Sequence, residues 1–233
     1  MQIKLFHLPN SRSQRIIWLL EELQLEYEVI QCSMQNNDSG LKQLKALDSS
    51  AKFPTIQITQ NNEFFILSET AAIMEYMIFS TKKLDSSKYF NEEYKNFCYW
   101  KNFSEATFLP DLVLKQVFHQ LIIQSPFPLH IFPKVIKYAF DKAYLNPLLE
   151  QHIQKIDTHL TQYGYFAGNS FSIADLLLWF PISAYWSAQQ SDLKFPHICS
   201  YLEKIKNRDS FKIALEKGQW SPSIFQEYWK ASW

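Results

Sequence analysis

Ser11 is the residue best placed to do chemistry. It stands in Pro9-Asn10-Ser11-Arg12-Ser13-Gln14-Arg15, directly before the apolar run Ile16-Ile17-Trp18-Leu19-Leu20. Ahead of it, Ile3-Lys4-Leu5-Phe6-His7-Leu8 reads as a strand that Pro9 ends. A strand that runs into a helix N-terminus offers backbone N–H groups and a hydroxyl to an anion. The anion that suits this arrangement is a ligand thiolate. The competing reading is a capping box, Ser11-x-x-Gln14, in which Ser11 only starts a helix. Magnitudes allow the chemical reading. A thiol of pKa about 8.5 must fall by about two units to be mostly ionised at neutral pH, roughly 2.7 kcal/mol at about 1.36 per unit. A hydrogen bond to a charged acceptor supplies roughly 1.5–3 kcal/mol, and a helix N-terminus roughly 0.3–2 kcal/mol. One hydroxyl and one helix end suffice without a general base.

Two further segments offer binding chemistry. Lys52-Phe53-Pro54 leads into the strand pattern Thr55-Ile56-Gln57-Ile58. The plain reading is a bend set by Pro. The functional one is a cis-Pro turn that leaves the Phe53 main chain free to pair with an extended peptide, with Lys52 meeting a carboxylate. Ser68-Glu69-Thr70 opens a later helix. It is an ordinary cap, or else Thr70 and the helix N-terminus take a carboxylate while Glu69 takes an ammonium. A zwitterionic amino-acid end needs both signs close together. Ser172-Ile173-Ala174-Asp175 reads as a structural capping box before a buried helix.

The elements that must position these residues fall into two parts. Over 1–80 the order is β-α-β-α-β-β-α: strand 3–8, helix 11–23, strand 27–30, helix 41–47, strand 52–58, strand 64–67 after an Asn61-Asn62 turn, and helix 71–79. The first pair needs a parallel crossover and the last pair a hairpin. Residues 81–88 are polar and linker-like. From 89 to 233 no strand pattern recurs, and helices are expected over 89–109, 112–124, 131–143, 146–163, 172–187 and 196–208, punctuated by proline. The stretch Trp220 to Trp233, with Phe225, Tyr228 and Trp229, is too apolar to float and should pack on the body or a partner.

Composition narrows the function. The chain has 233 residues, 47% of them hydrophobic, and a formal net charge of zero. That argues for a packed core and against nucleic acid as a partner. Only 4 glycines are present, and no Gly-rich phosphate loop can be written. The 3 cysteines and 6 histidines form no metal-ligand spacing, so no metal is expected, and buried, inert cytosolic thiols are. No signal peptide is read, and no uncharged run approaches about 18 residues, so no membrane span is expected.

Taken in order, the motifs resemble a cytosolic glutathione S-transferase over nearly the whole chain. They are Ser11-Arg12-Ser13-Gln14-Arg15-Ile16 with Trp18-Leu19-Leu20-Glu21-Glu22-Leu23, Lys52-Phe53-Pro54, Leu67-Ser68-Glu69-Thr70-Ala71-Ala72-Ile73, and Tyr165-Phe166-Ala167-Gly168-Asn169 before Ser172. The form around Ser11 looks most like a bacterial and fungal serine-type branch. The resemblance implies a thioredoxin-like first domain (1–80), an all-helical second domain (89–233) and a cytoplasmic homodimer. Glutathione is the implied co-substrate. Residue by residue, Ser11 matches the thiolate-stabilising hydroxyl, and Phe53 the residue whose backbone pairs with the cysteinyl part. Pro54 matches the cis-proline, Lys52 a position that meets the glycyl carboxylate, and Glu69 with Thr70 the pair that holds the γ-glutamyl end. Thr70 stands where Ser is usual, and Ala51 where Gly is frequent. Asn10 is a rival donor beside Ser11. No Tyr or Cys occupies the turn, which disfavours tyrosine-type and cysteine-type mechanisms. The implied activity is conjugation of glutathione to a small apolar electrophile. The alternatives are glutathione-dependent reduction of peroxides or disulfides, and a non-catalytic carrier of apolar ligands.

Overall fold

Side chains alternate along a strand, yet Ile3, Leu5, Phe6 and His7 are all buried. Both faces of β1 (Gln2–His7) are therefore covered, and β1 lies inside a four-stranded sheet of order β2-β1-β3-β4. The computed structural model describes residues 1–35, 37–189 and 194–233. β2 (Glu28–Gln31) runs parallel to β1, and α1 (Gln14–Glu22) supplies the crossover that a parallel pair requires. α2 (Ser39–Leu47) starts where the Asp38 carboxylate accepts the Leu41 N–H at 2.7 Å. Gly40 lets that helix start approach β2: a Cβ there would meet Cys32 Sγ at 2.7 Å and the Gln31 carbonyl oxygen at 2.8 Å.

β3 (Thr55–Gln60) runs antiparallel to β1, and β4 (Glu63–Ser68) antiparallel to β3. Their hairpin turns on Asn61 and Asn62, with φ of 53° and 66°. A two-residue hairpin of this type needs left-handed backbone at both positions, and Asn tolerates it. α3 (Thr70–Thr81) closes the series. The order β-α-β-α-β-β-α and its mixed sheet make this part thioredoxin-like. Lys52 and Phe53, expected inside the third strand, lie before it. Pro54 has no N–H to give a ladder, so pairing starts at Thr55.

Beyond 88 the described residues form helices: α4 (Asn91–Phe103), α5 (Leu109–Gln124), α6 (Ile131–Phe140), α7 (Asn146–Gln162), α8 (Ile173–Gln189), α9 (Pro196–Lys206), α10 (Asp209–Lys217) and α11 (Pro222–Lys230). Single π-helical turns, Ser104–Phe108 and Asp141–Leu145, join α4 to α5 and α6 to α7. Pro110 and Pro147 sit in the first turns of α5 and α7, directly after those π turns. The Ser172 motif does start a helix. The buried Asp175 carboxylate reaches back to the Ser172 N–H at 2.9 Å and Oγ at 3.0 Å, and also accepts the Phe166 N–H at 3.1 Å.

Two compact units result. The first is Met1–Lys88 with Lys204–Pro222, and the second is Tyr89–Glu203 with Ser223–Trp233. Residues 204–222 thus group with the sheet, where a division at 89 assigned everything later to the helical part. The reason is local: Trp18 of α1 meets Phe211 of α10 edge-on at 4.9 Å. The final residues belong to the second unit. Phe225 packs on Phe180 at 5.4 Å, Trp233 on Tyr185 at 5.5 Å, and Lys115 Nζ lies 4.6 Å from the Trp233 ring centroid. Of the three thiols, Cys32 is buried, and Cys98 and Cys199 are half-buried.

Candidate active site

One row of the sheet explains why distant segments meet. Phe6 pairs with Thr55, and Thr55 pairs with Ser68. These are the end of β1, the start of β3 and the end of β4. The turn after Phe6 carries Ser11, the loop before Thr55 carries Lys52, Phe53 and Pro54, and the residues after Ser68 are Glu69 and Thr70. All three segments therefore leave the sheet at the same end. The N-termini of α1 and α3 open there too, although the first N–H groups of α1, those of Gln14, Arg15 and Ile16, are taken by the carbonyls of Ser11, Arg12 and Ser13 at 3.1, 3.2 and 3.0 Å.

The Ser11 turn is tied internally. Ser11 is half-buried, and its Oγ accepts the Ser13 N–H at 3.2 Å and lies 2.8 Å from Ser13 Oγ. Ser13 Oγ lies 2.7 Å from His7 Nδ1, and His7 Nε2 lies 2.8 Å from the Gly218 carbonyl oxygen. His7 is fully buried, which pushes its pKa down to about 4 although the Gly218 carbonyl pulls the other way. The capping box expected for Ser11 and Gln14 is absent. Gln14 Nε2 donates instead to the Ala214 carbonyl at 2.5 Å, and α1 begins after Ser13 with no side-chain cap. Asn10 sits at φ 57° and its Oδ1 accepts the Ser221 N–H at 2.8 Å.

The Phe53–Pro54 peptide bond is cis. The Phe53 ring packs on the cluster of Phe6, Cys32 and Leu44. Among the described residues the Phe53 main chain makes no hydrogen bond. The loop is pinned by Thr55, whose hydroxyl donates to the Lys52 carbonyl at 2.6 Å and accepts from Ser68 Oγ at 2.8 Å. Lys52 itself is exposed. Glu69 is exposed at φ 71°, ψ 123°. A non-glycine residue there costs about 1–3 kcal/mol, a strain characteristic of ligand sites. Thr70 is 3% exposed and its Oγ1 accepts from Arg15 Nη2 at 3.4 Å. The fully buried Arg15 thus links the start of α1 to the start of α3.

This end of the sheet therefore offers a hydroxyl, an unpaired main chain at Phe53 and side chains of both signs. Residues 1–78 match the family model for the glutathione S-transferase N-terminal domain, and residues 122–209 that for its C-terminal domain. The chain belongs to the glutathione S-transferase family. Membership carries glutathione transfer as the activity and glutathione as the co-substrate. The chain is 29% identical to glutathione S-transferase 3 of Schizosaccharomyces pombe over 218 residues, 92% of this chain and 87% of that one. It is 23% identical to glutathione S-transferase 1 of Saccharomyces cerevisiae over 93% of this chain and 95% of that one. A glutathione transferase family member from Pseudomonas fluorescens, solved with two glutathione bound, superposes with a TM-score of 0.72 at 18% identity, covering 92% of each chain.

Sequence reasoning missed His7, Ser13, Arg15, Thr55 and Gly218. His7 carried a faint signal, a titratable side chain at the end of an apolar strand. Thr55 and Arg15 read as ordinary strand and helix residues. Gly218 carried none, because its partner stands 211 positions away.

Proposed function

We propose that glutathione binds extended along the Phe53 main chain and that Ser11 holds its thiolate. In this reading the Phe53 N–H and C=O pair with the cysteinyl residue as an added strand, and Lys52 meets the glycyl carboxylate. Pro54 fixes the turn. Glu69 takes the γ-glutamyl ammonium, and Thr70 with the α3 N-terminus takes its carboxylate. The thiol proton leaves to solvent. The Ser11 O–H and the α1 N-terminus then stabilise the sulfur anion. The thiolate attacks the electrophilic carbon of an apolar substrate, forming a carbon–sulfur bond as the leaving group departs with its electron pair. Holding both reactants supplies much of the rate. The observation that carries this reading is the sheet row Phe6–Thr55–Ser68, which gathers every required group at one end.

The enzyme works as a cytoplasmic homodimer in this reading. Phe64, Phe65 and Phe79 of the first unit are 41–70% exposed, an apolar surface that a second copy would cover. Light scattering should report twice the chain mass. Calorimetry tests the site. Wild type should bind glutathione, and Glu69→Ala should bind it about 10–100-fold more weakly, the loss of one charged hydrogen bond. Equal affinity would remove Glu69 from the site, and no binding by wild type would favour the apolar-ligand carrier. Ser11→Ala should lose conjugation rate most at low pH between about pH 6 and pH 8, where thiolate is scarce. An unchanged profile would remove Ser11 from the mechanism.

A further inference from the structure

The last turn of α10 and the residues after it reach the segment around Ser11 at three places and β2 at a fourth. The Gly218 carbonyl takes His7 Nε2 at 2.8 Å, and the Ala214 carbonyl takes Gln14 Nε2 at 2.5 Å. The Lys217 carbonyl takes Gln31 Nε2 at 3.1 Å, and the Ser221 N–H donates to Asn10 Oδ1 at 2.8 Å. Helix C-terminal carbonyls need partners. The Ala214, Leu215 and Glu216 carbonyls take the N–H groups of Gly218, Trp220 and Gln219, and those of Ala214, Lys217 and Gly218 take the side chains of residues 14, 31 and 7, two of which flank Ser11.

We infer that Gly218 and the end of α10 position Ser11 through a chain of hydrogen bonds, Gly218 to His7 to Ser13 to Ser11. Each link has one direction. A carbonyl only accepts, so His7 Nε2 carries the proton and donates to Gly218. The neutral ring then presents a lone pair at Nδ1; Ser13 Oγ also lies 3.1 Å from the Leu8 carbonyl, but its one proton goes to Nδ1, where the shorter 2.7 Å contact has no other proton to fill it. With that proton committed, the 2.8 Å contact between the two serines is filled by the Ser11 proton. Ser11 Oγ also accepts the Ser13 N–H. The Ser11 hydroxyl oxygen is thus held at one place by the Ser13 N–H, and its one proton rests on Ser13 Oγ until a stronger acceptor takes it. That proton reaches a sulfur anion by rotation about the Cβ–Oγ bond, while Ser13 Oγ still accepts the Leu8 N–H at 3.2 Å.

Gly218 lies directly against the end of the Gln14 side chain. A Cβ there would stand 2.0 Å from Gln14 Oε1, 2.7 Å from its Cδ and 2.8 Å from its Nε2. Any side chain at 218 must displace the Gln14 carboxamide, and with it the bond from Gln14 Nε2 to the Ala214 carbonyl that ties the start of α1 to α10. The inference rests on the reading of Ser11 as the thiolate donor, so the experiment separates the two.

The pKa of glutathione bound to the full-length enzyme is read from the ultraviolet absorbance of its thiolate, alongside kcat and KM. Ser11→Ala is the reference and should raise that pKa. Gly218→Ala should raise it by about half a unit or more, a roughly three-fold loss of thiolate below the pKa. The glutathione KM should stay near wild type, since Phe53, Glu69 and Thr70 are untouched. Gly218→Ala with Gln14→Ala removes the clash and should restore the value. If Gly218→Ala does not fold, His7→Leu, which cuts the chain without crowding α10, should give the same rise. A shift in Ser11→Ala with none in Gly218→Ala or His7→Leu overturns the positioning role and leaves Ser11 standing. No shift in Ser11→Ala removes the reading of Ser11 and this inference with it.

Discussion

At the residue scale, His7 carries a measurable signature. Its folded pKa of about 4 lies below the ordinary 6.5, because burial disfavours the cation. Between those values the unfolded chain holds a proton that the folded chain does not. Stability from this group is therefore fully present above pH 6.5 and is lost as pH falls towards 4. The full difference is about 3 kcal/mol. Other groups titrate in the same range, among them buried Asp175, which burial pushes up to about 6 with the opposite sign. The clean quantity is thus the stability gap between wild type and His7→Leu in urea. It should shrink by about 2 kcal/mol between about pH 7 and pH 5. A constant gap would mean that His7 is not held neutral. The same residue marks what sequence could not supply. Ser11 was legible because serine before an apolar helix has few meanings, but the choice between cap and donor was not. It depends on where the Gln14 amide goes, and Gln14 goes to Ala214.

At the scale of elements, α1 is held by α10 through polar contacts at both ends. Glu22 receives Arg208 Nε and Nη2, both at 2.7 Å, together with Ser210 Oγ at 2.5 Å and Trp18 Nε1 at 3.0 Å. Burial alone would raise the Glu22 pKa, but these donors and the Arg208 charge hold it below the usual value. Glu22→Ala removes all four bonds and should destabilise the protein by about 3 kcal/mol. A double-mutant cycle with Arg208→Ala should show a coupling above about 1 kcal/mol. Additive effects would show that the pair does not brace α1. The strands, the Asn-Asn hairpin and α1 to α3 were readable because their apolar periods are local. The breaks expected near 110 and 145 were not real ends, since Pro110 and Pro147 occupy first helical turns joined by π turns. α10 was unreadable for a different reason. It buries only Phe211 and Ala214, too little to show a period, and its apolar face has meaning only against Trp18.

At the scale of the whole molecule, the chain changes unit three times, after Lys88, Glu203 and Pro222. The sheet-bearing unit is therefore discontinuous. Its N-terminal stretch contains every proposed glutathione contact, yet His7, Gln14, Trp18 and Glu22 have partners in 204–222. Cut at 88, the stretch would bare the fully buried Trp18 and the Gln14 amide. Losing the cover of a large aromatic costs about 3–5 kcal/mol, a large share of what a domain this small can spare. Residues 1–88 alone should lack a cooperative thermal transition by circular dichroism. The same residues joined to 204–222 through a flexible Gly/Ser linker should regain one. Adding Gly218→Ala to the joined form should lower its midpoint, and Gln14→Ala should recover it. If 1–88 alone melts cooperatively at the temperature of the joined form, α10 is an ornament on the sheet-bearing unit and the brace between them carries no stability. If only the joined form folds, the smallest autonomous glutathione-binding unit of this enzyme needs residues that the sequence places more than a hundred positions past its first domain.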